Sequence, residues 1–126
     1  DDPFDASMVT YLHGKETVGE MQQDDFYNPY LSMIKAGYGS LCYQGTWCIY
    51  DQELVNYNLA VAPQGGLKIQ PVTKSRGNWY DGVIFKRPYL TTQKGQYKGY
   101  PFRTFSNGAF VGGYSDHYPT YIVIGK

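Results

Sequence analysis

Ser115-Asp116-His117 stands between Gly112-Gly113 and a final apolar run, Tyr118-Pro119-Thr120-Tyr121-Ile122-Val123-Ile124, and His117 is one of only two histidines in the chain. A neutral imidazole can take a proton from water near pH 7, and a carboxylate bonded to its other nitrogen fixes the tautomer and raises its basicity. A histidine beside a carboxylate, at the mouth of a strand, is the arrangement that acid–base attack on a phosphate ester would use. The same tripeptide also suits a solvated turn. A second carboxylate, Asp51, falls in the strand-like stretch Trp47 to Val55, flanked by Ile49, Leu54 and Val55. A charge there is expensive without a partner. His117 is a candidate donor for it, and a backbone N–H or a lysine would serve as well.

The elements that must position these residues read as helices first and strands after. Ser7 is a plausible N-cap for a short helix with an apolar stripe of Met8, Val9 and Leu12, and Gly14 a plausible residue just past its end. His13, at the close of that helix, would complement its dipole. Residues 15 to 28 are polar and weakly periodic, and Asn28-Pro29 then opens a second short helix carrying Leu31, Met33 and Ile34, ended by Gly37. Ser40 to Tyr43 and Trp47 to Val55 read as a hairpin around Gln44-Gly45, with Asp51 within the second strand. Cys42 and Cys48 flank this turn, and a three-residue loop would place them opposite each other. A disulfide and two buried or half-buried thiols both remain open. Ala62 to Gly66 is a loop, Leu67 to Val72 alternates as a strand, and Thr73 to Gly113 reads as a long irregular region broken only by Val83-Ile84-Phe85. Trp47 and Trp79 read as sheet packing. The order predicts an α+β or layered α/β fold, mainly antiparallel, with short N-terminal helices.

Composition narrows the function classes. At 126 residues the chain is one ordinary domain in size, and its eleven basic and eleven acidic residues cancel. No global positive field marks a nucleic-acid or membrane binder, so any such role must rest on a local patch. Tyrosine is the outlier at 14 copies; it suits half-exposed strands and equally the stacking of sugars or bases. No apolar run is long enough for a transmembrane helix.

The run Gly45-Thr46-Trp47-Cys48-Ile49-Tyr50-Asp51-Gln52, followed by Gly112-Gly113-Tyr114-Ser115-Asp116-His117-Tyr118-Pro119 and a terminal strand, resembles the C-terminal half of the endonuclease/exonuclease/phosphatase superfamily, the deoxyribonuclease I-like proteins. The resemblance implies that Asp51, from a Gly-x-x-x-Asp strand motif, pairs with His117, and that Asp116 sits beside the metal and the scissile phosphate. It implies a four-layered α/β sandwich and a phosphodiesterase, nuclease or phosphatase dependent on Mg²⁺ or Mn²⁺. The superfamily's metal-binding Glu, an early Asn and Gly-Asp-x-Asn have no counterpart here, and Glu16, Glu20 and Glu53 match none of its ligands. Residues 1–126 are therefore expected to be the C-terminal portion of one such domain, cut just after Gly-Asp-x-Asn. As a separate piece the chain is expected to be inactive.

Its expected partner is the missing N-terminal half, with a swapped or oligomeric copy as the substitute. Any export signal would precede Asp1, which leaves secreted and periplasmic locations open. Lys86-Arg87, Lys94, Lys98 and Arg103, interleaved with Tyr89, Tyr97, Tyr100 and Phe102, could form a phosphate-and-stacking surface for nucleic acid or a phospholipid head group, or be solvated loop charges. A non-catalytic carbohydrate- or ligand-binding module that uses surface aromatics is the alternative reading.

Overall fold

The computed structural model describes residues 1–126. A wide helical turn spans Ser7–Tyr11, with Ala6 at its N-cap, while Ser7 Oγ donates instead to Asp1 Oδ2 at 2.5 Å. The left-handed residue that follows is His13, at φ 52°, in place of the expected Gly14. Gly14 is needed for a different reason. It begins strand β1 (Gly14–Lys15), where a Cβ would lie 2.8 Å from the Met8 carbonyl oxygen. A 3₁₀ turn at Val18–Glu20 leads to β2 (Phe26–Tyr27). Helix α1 (Tyr30–Lys35) then opens behind Asn28-Pro29 as its sequence indicates, with Asn28 Oδ1 accepting from Tyr30 N at 3.0 Å.

Strands β3 (Leu41–Tyr43) and β4 (Thr46–Cys48) form the expected hairpin, and its turn holds Gln44 and Gly45 at φ 48° and 83°. A two-residue turn of this kind matches the strand twist. It also sets Cys42 opposite Trp47 and Cys48 opposite Leu41. Neighbouring ladder positions point to opposite faces, so the two cysteines do not meet, and both thiols are free. Because β4 stops at Cys48, Asp51 lies beyond the strand and not within it.

Next come β5 (Val55–Asn56) and α2 (Tyr57–Val61), the latter unanticipated. Asn56 caps it, its Oδ1 accepting from Leu59 N at 3.0 Å, and Ala62 closes it at φ 49°. Strand β6 covers only Lys68–Ile69 of the expected Leu67–Val72 run. The region read as irregular holds β7 (Thr73–Ser75) and β8 (Asn78–Tyr80), β9 (Gly82–Ile84), and β10 (Phe105–Ser106) and β11 (Ala109–Phe110). Arg76-Gly77 and Asn107-Gly108 turn its two hairpins, all four residues at positive φ. The chain ends in β12 (Thr120–Ile122) and β13 (Ile124–Gly125).

The architecture is α+β, built from six small sheets and few helical turns. The largest sheet runs β1-β2-β5, while β12 and β13 pair antiparallel with β9 and β6. The final apolar run therefore ties two distant segments together. Met21, Tyr27, Val55, Ala60 and Ile69 form one buried cluster, and Tyr30, Met33 and Ile49 the other. No helix is long and apolar enough to cross a membrane.

Both clusters rely on tyrosines whose hydroxyls cross between elements. Tyr27 donates to Asp81 Oδ2 at 2.7 Å, and Tyr30 donates to Glu53. Burial first, then the adjoining carboxylate, pushes both phenols far above the usual range near 10. A tyrosine raised in this way contributes its full stabilising effect below the unfolded value, and loses it as pH climbs toward the folded one. Stability should therefore hold up to about pH 10 and fall beyond it. In a spectrophotometric alkaline titration, Tyr27 and Tyr30 should ionise only together with loss of the near-UV circular dichroism signal. Their ionisation in an intact fold would contradict this account. For α2, Asn56→Ala should cost about 1 kcal/mol in urea unfolding, with Asn56→Asp keeping most of it.

Candidate active site

Three consecutive side chains, Asp51, Gln52 and Glu53, follow the end of β4 without a strand ladder, and each is held by a buried polar group from residues 28–40. Ser40 Oγ donates to Asp51 Oδ2 at 2.9 Å, Asn28 Nδ2 donates to Gln52 Oε1 at 2.7 Å, and Tyr30 OH donates to Glu53 Oε2. Ser40, Asn28 and Tyr30 are all fully buried. Ile49, equally buried, fixes the approach to this segment in the core. Gln52 Nε2 folds back onto the Ile49 carbonyl at 3.1 Å.

The opposite wall is the loop before β12. Gly112 takes φ 76°, and a Cβ on Gly113 would stand 2.1 Å from the Phe102 carbonyl oxygen, so only glycine lets the loop lie this close. That carbonyl accepts from Tyr114 N at 2.8 Å and Ser115 N at 3.3 Å. Ser115 Oγ then accepts from His117 N at 3.1 Å, which turns the chain toward Asp51. Tyr118 anchors the far side. It is fully buried, its backbone N donates to the Ser40 carbonyl at 2.7 Å, and its hydroxyl reaches Thr91 Oγ1 at 2.9 Å and the Gly99 carbonyl at 3.1 Å. Burial raises its phenol pKa. Trp47 stacks on its ring at 6.4 Å, and Lys86 Nζ lies 5.0 Å from the Trp47 centroid.

The result is a direct pair: His117 Nδ1 lies 2.7 Å from Asp51 Oδ2, with the two side chains 35% and 39% exposed. Both line an open cleft of about 480 Å³ together with Glu53, Ser115 and Thr120. The bond to Asp51 assigns the proton to Nδ1, because a carboxylate can only accept. Nε2 is then the free base.

Asp116 is not brought into this cleft. Its side chain is exposed on the turn, and no three His, Cys, Asp or Glu side chains converge where a cation could be held. The donors of this chain therefore do not by themselves make the metal site that the resemblance implied. His13 approaches Asp25 instead, Nδ1 to Oδ1 at 3.7 Å.

A model of the endonuclease/exonuclease/phosphatase family matches residues 1–126. The chain belongs to that family. No curated protein and no solved structure matches it. Family membership makes it a hydrolase domain of the phosphoesterase or nuclease type, and the family is generally dependent on divalent metal.

Ser40 and Glu53 were not legible as site residues. Ser40 reads as the first residue of a hairpin strand, and only its contacts reveal that it carries Asp51 and Tyr118 at once. Glu53 matches no family ligand, yet it lines the cleft with both oxygens engaged, the second accepting from Thr120 Oγ1 at 3.0 Å. Trp47 is used up in packing against Tyr100 and Tyr118. Trp79 does not pack into a core; it is 58% exposed, with Lys74 over its ring.

Ser40→Ala removes a donor from a carboxylate and should lower unfolding free energy by about 1–2 kcal/mol in urea, with no change in m-value. An unchanged midpoint would show that Asp51 needs only His117.

Proposed function

We propose that this chain supplies the acid–base half of a phosphoester hydrolase site, with His117 as the base and Asp51 as its orienting partner. The carrying observation is the 2.7 Å bond between Nδ1 and Asp51, which leaves Nε2 without a protein partner at an open cleft. A water bonded to Nε2 gives up its proton as it attacks phosphorus, and the imidazolium that forms is stabilised by Asp51. Ser40 keeps the carboxylate from rotating away. The imidazolium then returns its proton to solvent, and the leaving oxygen, on the face of phosphorus opposite the attacking water, takes its proton from solvent.

A divalent ion, Mg²⁺ or Mn²⁺, would stabilise negative charge on the phosphoryl oxygens when bound. We assign its first ligands to protein beyond these residues, with Asp116 at most as a contributor, since no ligand cluster lies within residues 1–126. Residues 1–126 are then the C-terminal portion of a four-layered sandwich, and the N-terminal portion is the partner that completes both fold and site. Only 19 of the 126 residues are buried, and the apolar clusters among them hold just five and three, which is little core for a domain of this length. Exposed Tyr11, Leu12 and Phe26 beside β1 and β2 offer apolar surface for such packing.

The test uses the chain joined to its N-terminal portion, with Mg²⁺ or Mn²⁺ and the substrates bis(p-nitrophenyl) phosphate and p-nitrophenyl phosphate. His117→Ala should lower kcat by about 10²- to 10⁴-fold, and Asp51→Asn should lower kcat more than it changes KM. The 126 residues alone should show no turnover. Full activity in His117→Ala would remove the imidazole from the mechanism.

A further inference from the structure

The zero net charge of the chain conceals a segregation. Five of the eleven basic residues and none of the eleven acidic ones fall within residues 82–115, so the remainder holds six basic and all eleven acidic residues. Two of the five cations, Lys94 and Arg103, line one cleft of about 280 Å³ with Tyr97, Tyr100, Phe102 and Asn107, and no acidic side chain lines it. The ion pairs of the chain involve only His13, Lys35 and His117, so neither cation is matched to a carboxylate. Two unmatched cations facing one cavity repel each other unless an anion joins them.

The walls are built structures. Residues 92–100 close on themselves through Thr92 N to the Tyr100 carbonyl and Gly99 N to the Thr92 carbonyl, both 2.8 Å. Beyond Arg103 the β10–β11 hairpin stands on the other side, its Ser106 and Asn107 reaching the cleft. Phe102 lines the cleft, and its carbonyl is the one that accepts from Tyr114 N and Ser115 N. The cleft wall and the loop bearing His117 are therefore one hydrogen-bonded unit. Two residues of chain, at most about 7 Å, separate Ser115 from His117.

We propose that this cleft is a nucleotide subsite, which takes a phosphate on Lys94 and Arg103 and a base against Tyr97, and so names nucleotide-bearing phosphoesters as the substrate class. This rests on the hydrolase reading for the chemistry at His117, not for the binding itself. The guanidinium fork matches two phosphate oxygens, and an aromatic ring stacks on any base. An inositol phosphate has no planar face to offer three aromatic rings, and a phospholipid head group has none either.

Calorimetric titration of the 126-residue chain with adenosine 5′-monophosphate, adenosine and inorganic phosphate tests the proposal without any turnover. Adenosine 5′-monophosphate should bind saturably and at least about tenfold more tightly than either part alone. Lys94→Ala, Arg103→Ala and Tyr97→Ala should each weaken it about tenfold, with circular dichroism confirming the fold and Lys94→Gln or Arg103→Gln replacing any variant that fails it. Equal affinity for phosphate and the nucleotide, or binding indifferent to Arg103, would overturn the assignment. So would sedimentation with phosphatidylserine vesicles in the absence of nucleotide binding. Nucleotide binding by the 126-residue chain, with phosphoester turnover absent once the chain is joined to its N-terminal portion and supplied with Mg²⁺ or Mn²⁺, would support the subsite and refute the hydrolase reading alone.

Discussion

The site depends on the cost of burying polar groups without partners. Ser40, Asn28 and Tyr30 are fully enclosed, and each carries a hydrogen-bonding group that would cost about 1–3 kcal/mol if left unpaired. Their partners are successive side chains of one segment, Asp51, Gln52 and Glu53. A stretch with no ladder of its own is thus fixed residue by residue, and no buried side-chain donor or acceptor is left over. Ser40 has the widest reach, because its backbone also joins the Cys48 carbonyl and Tyr118 N. Both members of the His117–Asp51 pair therefore answer to one small residue, and the pair cannot drift apart without exposing an unsatisfied hydroxyl or amide.

The abundance of tyrosine follows from the same constraint. Strands of two or three residues supply few ladder bonds, so the segments need another means of holding together. Tyr27, Tyr30, Tyr38 and Tyr118 each place a ring in or against packed side chains and pass a hydroxyl to a different segment: Asp81, Glu53, Ser75, and Thr91 with Gly99. Phenylalanine would fill the volume and leave the segments untied. A residue with an apolar body and a polar tip does both.

The His117–Asp51 pairing, α1 and the β3–β4 hairpin were the legible parts. Asn28-Pro29 and Gly37 bracketed α1, and Gln44-Gly45 marked a hairpin, because turn and cap chemistry is local. His117 and Asp51 could be brought together from motif resemblance, whereas Ser40 and Glu53 could not, since their role is defined by neighbours 11 to 78 positions away. Two misreadings have local causes. Asn56, a good N-cap for α2, directly follows the strand-like run that ends at Val55 and has no strong apolar period after it, and Arg76-Gly77 and Asn107-Gly108 are turn signals set among many other glycines. Of the two states left open for the cysteines the free thiols hold, since a two-residue turn in place of a three-residue one shifts the register and sends the two side chains to opposite faces.

Charge organises the surface where packing does not. The loop from Ser115 to His117 lines the acidic cleft of Asp51 and Glu53, and through the Phe102 carbonyl it is hydrogen-bonded to the wall of the cationic one of Lys94 and Arg103. A polyanion approaching the molecule feels no net attraction at long range, because the two regions cancel. Within a Debye length of about 8 Å the cancellation ends, and the anion is drawn to the 82–115 side and held away from the carboxylates. Two acidic side chains beside a base would otherwise oppose the approach of a phosphate. Asp51 is already matched by His117 and Ser40, and Glu53 by Tyr30 and Thr120, so their charge is directed inward to hydrogen bonds. The acidic groups hold the imidazole in place, and the unmatched cations of the other cleft are left free for an anion.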